Sequence, residues 1–81
     1  MEKDVVVTIE DGINADVVSL LVQTACRFES RVYLQEGERK VNMKSIMGMT
    51  ILHLKKGTTF KLVAEGNDES KAIEDIAGCF E

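Results

Sequence analysis

At 81 residues, 44% of them hydrophobic and 30% charged, the chain has material for one small domain, spanning 1–81, and none for a second. A formal charge of −4, three phenylalanines, one tyrosine and no tryptophan argue against nucleic-acid binding, which needs a basic face and usually stacking aromatics. Two cysteines exclude a disulfide scaffold, and no apolar run approaches the ~20 residues that span a bilayer. Met1-Glu2-Lys3-Asp4 does not read as a secretory start. The expectation is a cytoplasmic module with reduced thiols, away from membranes.

The same counts restrict chemistry. A single histidine, His53, rules out a multi-histidine metal cage, and Cys26 and Cys79 lack the spacing of a zinc knuckle. A nucleophilic triad would have to run through His53, inside an apolar run with no obvious nucleophile beside it. No glycine-rich phosphate loop is present. These exclusions favour a binding or carrier protein over an enzyme, without cofactor or metal.

In chain order, Val5, Val7 and Ile9 alternate with Val6 and Thr8, which reads as a strand with one buried face, ended at Asp11-Gly12. Val17, Leu20, Leu21, Thr24, Ala25 and Phe28 then recur at helical steps and predict a buried helix face. Asn14 suits the N-cap, and Asp16 complements the positive end of the helix dipole. Val32-Tyr33-Leu34 begins a second strand, and Glu36-Gly37-Glu38 turns it into a third over Arg39–Asn42. Ser45 caps a short helix through the apolar run from Ile46 to Leu54, which ends before Gly57. Phe60, Leu62 and Ala64 mark a fourth strand broken at Gly66, and Ala72, Ile73, Ile76, Ala77 and Phe80 share one face of a final helix. Strand, helix, two strands, short helix, strand and helix make an α+β open-faced sandwich, with a four-stranded antiparallel sheet covered on one side. Cys26 and Cys79 read as small buried hydrophobes, and Arg27, Arg31, Arg39 and Lys40 as solvated surface.

Element order and length resemble the HPr family, the small phosphocarriers of the bacterial sugar phosphotransferase system. The resemblance is carried by Val41-Asn42-Met43-Lys44-Ser45-Ile46-Met47-Gly48, similar to the family's regulatory serine segment, and by Leu21-Val22-Gln23-Thr24-Ala25 in the first helix. Where the family carries Gly-(Ile/Leu)-His-Ala-Arg-Pro, this chain reads Gly12-Ile13-Asn14-Ala15-Asp16-Val17. Asn14 replaces the phosphocarrier histidine, and an amide nitrogen has no free lone pair for nucleophilic attack. Asp16 replaces the arginine that would clamp a phosphoryl group, and a carboxylate repels one. His53, in the short helix, does not substitute for the lost histidine.

What the resemblance leaves is Ser45. In the family, and in its Crh-type branch without the histidine, this serine is phosphorylated by HPr kinase/phosphorylase, and the phosphoprotein serves a LacI-type catabolite control repressor as corepressor. The implied role is a regulatory protein switched at Ser45, with Lys44 as counter-charge. Ile46, Met47 and Met49 would form an apolar patch, although one of the two methionines is expected in the core. Asp16 and Ser19 would sit on the same partner-binding face. A phosphorylation-independent docking module on the same fold is the alternative. A phosphotransferase component with another acceptor ranks below both.

Overall fold

The computed structural model describes residues 1–8, 15–50 and 55–80. Its elements are β1 (Glu2–Val6), α1 (Ala15–Cys26), β2 (Arg31–Glu36), β3 (Arg39–Asn42), α2 (Ile46–Thr50), β4 (Thr59–Glu65) and α3 (Glu69–Gly78). The sheet is antiparallel throughout, in the order β1-β4-β2-β3. The last strand therefore inserts between the first two. Its register sets Leu62 opposite Lys3 on one side and Leu34 on the other.

Alternation decides which face the helices cover. Val5, Val32, Leu34, Val41, Phe60, Leu62 and Ala64 point to one side and form a buried cluster with residues of α1 and α3. From α3 come Ala72, Ile73, Ile76 and Ala77, with Phe80 just past the helix end, all as the spacing predicts. Met43 and Met49 complete the cluster beside the short helix. Val63 belongs to the opposite face yet is buried, flanked in register by Glu2 and Tyr33. The Lys40 ammonium lies 4.5 Å from the Tyr33 ring centroid on that same face.

Helix α1 is rotated from the face read in the sequence. Val18 and Val22 are buried with Leu21, Thr24 and Ala25, whereas Leu20 is 49% exposed. Apolar residues at 17, 18, 20, 21 and 22 leave the stripe ambiguous, and packing on the sheet chooses it. Thr24 tolerates burial because its hydroxyl donates to the Leu20 carbonyl at 2.8 Å. Phe28 lies beyond the helix, half-buried against the core. Cys26 is exposed and Cys79 half-buried, so the expectation of two buried thiols fails for Cys26, the last residue of α1.

Two connections explain themselves. The β2–β3 loop is Gly37–Glu38, and of these only Gly37 takes a positive φ (61°), the pattern of a type II′ hairpin. Between β4 and α3, Gly66 sits at φ 153° against Ser30. A Cβ there would lie 2.6 Å from Ser30 Oγ and 2.7 Å from its Cα. The approach lets Asp68 accept hydrogen bonds from the backbone N–H of Glu29 at 2.9 Å and of Ser30 at 3.0 Å, and from the Ser30 hydroxyl. The Ser30 hydroxyl foremost, then the Glu29 N–H, hold the Asp68 carboxyl below its ordinary value. Buried Ser30 is thereby satisfied.

Candidate functional site

The serine segment is built by a turn that Asn42 organises. Its side-chain oxygen accepts from the Lys44 N–H at 2.9 Å, and its backbone oxygen accepts from the Ser45 N–H at 3.1 Å. An asparagine that bonds the backbone two residues on is a turn device, and here it delivers Ser45 to the entrance of α2. The Ser45 hydroxyl accepts from the Gly48 N–H at 3.2 Å, the N-cap interaction expected from the sequence. Ser45 is half-buried, so its hydroxyl satisfies the helix without being sealed in the core.

The residues after Ser45 divide cleanly. Ile46 is 53% and Met47 82% exposed, whereas Met49 is fully buried in the core. Met49 therefore cannot belong to a docking surface, and the apolar patch expected at Ile46, Met47 and Met49 is reduced to the first two. The described residues of α2 divide by face, and Met49 lies on the inner one.

Helices α1 and α2 pack against one another, and α1 carries a third exposed apolar residue, Leu20. Leu20 is a surface residue that periodicity assigned to the core. The signal that distinguishes it is the tertiary choice among adjacent apolar positions. Asp16 is exposed in the first turn of α1. Ser19, half-buried one turn on, accepts from Gln23 Nε2 at 3.3 Å. Asn14 and His53 lie outside the described residues, as do Ile9 and the expected continuation of the short helix over 51–54.

In the unmodified chain the Lys44 ammonium already has a partner. It donates to the Phe28 carbonyl at 2.7 Å, across to the segment that follows α1. No sequence pattern pointed to that acceptor, because a backbone carbonyl leaves no trace in residue identity.

Comparison with known proteins bears on the same geometry. A family model described as "PTS HPr component phosphorylation site" matches residues 1–81. The chain belongs to the HPr family. It is 41% identical over 81 residues to the HPr-like protein Crh of Halalkalibacterium halodurans, covering 100% of this chain and 96% of the relative. The phosphocarrier protein HPr of Bacillus anthracis superposes with a TM-score of 0.94 at 32% identity, covering 100% of this chain and 96% of that one. A crystal structure of Bacillus subtilis Crh, reported as a domain-swapped dimer, matches with a TM-score of 0.79 at 42% identity, covering 89% of this chain and 83% of that one. The HPr fold inferred from element order is thus the fold observed. None of the described helices is long and apolar enough to cross a membrane.

Proposed function

We propose that this chain is an HPr-family regulatory protein of carbon catabolite repression, switched by phosphorylation of Ser45 and devoid of phosphohistidine carrier activity. The observation that carries this reading is the half-buried Ser45 hydroxyl, held at the entrance of α2 and followed directly by the exposed Ile46 and Met47. A phosphate placed there adds about −1.5 to −2 charges beside an apolar surface. A partner recognises that charge together with the two side chains. Methionine suits such a contact, being flexible and polarizable. Similarity to Crh over the whole chain, at 41% identity, and the family's regulatory segment read as Asn42-Met43-Lys44-Ser45-Ile46-Met47-Gly48, support the same assignment.

The partners of this reading are HPr kinase/phosphorylase and a LacI-type catabolite control repressor, in the cytoplasm. Asn14 and Asp16 support the loss of the carrier function, since neither an amide nor a carboxylate serves the histidine–arginine chemistry. The test is incubation with ATP and purified HPr kinase/phosphorylase, followed by mass analysis of the intact protein and its peptides. One phosphate on the peptide containing Ser45, and repressor binding only by the modified form, is the expected result. Repressor binding of equal strength without phosphate would replace this reading with a phosphorylation-independent docking module, for which the exposed Ile46 and Met47 suffice.

A further inference from the structure

Helix α1 carries no basic residue in its last turn, so nothing on the helix itself complements the negative end of its dipole. The cation comes from elsewhere in the chain. Lys44, half-buried in the β3–α2 connection, places its ammonium 2.7 Å from the Phe28 carbonyl, two residues past the end of α1. It is also the residue immediately before Ser45. The turn 42–45 fixes both: Asn42 accepts from the Lys44 N–H through its side chain and from the Ser45 N–H through its backbone.

We propose that Lys44 couples phosphorylation of Ser45 to the end of α1, its ammonium leaving the Phe28 carbonyl for the phosphate. The inference rests on the reading of Ser45 as a phosphorylation site. Adjacent Cα atoms are about 3.8 Å apart, and a lysine ammonium swings on a flexible four-carbon stem, so a phosphate on Ser45 falls within its sweep. The competition is unequal. The ammonium is an ionised donor in both bonds, but the carbonyl is neutral, whereas the phosphate adds about −1.5 to −2 charges and three acceptor oxygens.

The consequence at α1 is local. The Arg27 N–H donates to the Thr24 carbonyl at 3.2 Å and the Phe28 N–H to that of Ala25 at 3.2 Å, both at the long end of the normal range. These are the bonds that loosen when the cation departs. Glu29 and Ser30 stay anchored, because Asp68 holds their N–H groups independently. Phosphorylation therefore relaxes the last turn of α1 without detaching the segment that follows it.

The test uses full-length protein with phosphoserine installed at position 45 by chemical ligation, so that no kinase is needed. Phosphorylation is expected to shift the Phe28 carbonyl carbon resonance and to speed hydrogen exchange at the Arg27 and Phe28 amides by about two- to fivefold, the range that a terminal helix charge implies. In Lys44→Met the unphosphorylated protein already shows the shifted resonance and the faster exchange, and phosphate adds nothing further. Should that variant not fold, the Lys44 ammonium resonance of the wild-type protein carries the test, and it must move on phosphorylation. An unmoved Phe28 carbonyl in fully phosphorylated protein, or an equal shift in Lys44→Met, overturns the proposal. Failure of the kinase to modify Ser45 overturns the functional reading instead, and leaves this coupling standing or falling on the ligated protein.

Discussion

Replacing Ser45 by alanine separates the two roles of its hydroxyl, as a helix cap and as a phosphate acceptor. The cap is a single bond from the Gly48 N–H, 3.2 Å long and reachable by solvent because Ser45 is only half-buried. Loss of an N-cap costs about 0.5–2 kcal/mol, and these features place Ser45→Ala in the lower half, about 0.5–1 kcal/mol. For a domain of this length that lowers Tm by about 2–8 °C, measurable by circular dichroism and by urea unfolding with an unchanged m-value. Ser45→Asp keeps an acceptor at the cap and should remain near wild-type stability, while accepting no phosphate. Both variants should be blank in the kinase assay. Of the other serines, Ser30 is buried and bonded to Asp68, which makes it a poor substrate. Phosphate on Ser19, Ser30 or Ser70 in Ser45→Ala would refute the single-site reasoning. An alanine variant as stable as wild type would refute the cap.

Four further outcomes are expected. Enzyme I with phosphoenolpyruvate should leave the protein without acid-labile phosphate, given Asn14 and Asp16, and labelling comparable with an ordinary HPr would contradict this. The lowered carboxyl of Asp68 contributes stability that is present above its ordinary value of 3.8 and lost as pH falls through the lowered folded value, so Asp68→Asn should flatten the acid limb of a stability–pH profile. Gly66→Ala combines a positive φ with contacts of 2.6 and 2.7 Å to Ser30 and should cost about 2–3 kcal/mol by denaturant unfolding. Asp16→Arg should tighten binding of the Ser45-phosphorylated protein to an ordinary catabolite repressor several-fold at low salt, with a gain that shrinks as salt rises; equal affinities at low salt would remove the first-helix face from the contact surface.

The fold was legible where the period of the side chains is unambiguous. In α3, Ala72, Ile73, Ile76 and Ala77 are the apolar positions of a polar helix, so one stripe is possible, and it is the buried one. In β4, alternation named Phe60, Leu62 and Ala64, but it missed Val63, which is buried on the other face between the register neighbours Glu2 and Tyr33. Helix α1 failed in the same way. Its run of apolar residues permits several faces, and only the sheet beneath decides that Val18 and Val22 go in and Leu20 goes out. At the site, Ser45 as a cap was legible because capping is local. The Lys44 contact with Phe28 spans 16 residues of sequence and uses a backbone acceptor, so nothing in the pattern announced it.

These differences bear on what the fold can say about function. The buried cluster draws on the strands, α3, the inner face of α1, and Val7, Met43, Met49 and Phe80 between and beside them, and exposed Asp16 contributes nothing to it. A change there can abolish carrier chemistry at no cost to the core, which is why a near-complete structural match to a phosphocarrier does not by itself make this chain one. The serine segment is different. Asn42 builds its turn, Met43 and Met49 anchor it in the core, Ser45 caps α2 and Lys44 ties it to the end of α1. Residues that place Ser45 are thus residues the fold also needs. Ile46 and Met47 escape that argument. Exposed, they gain the fold little from burial, and under the proposed reading they supply the apolar part of a partner's contact.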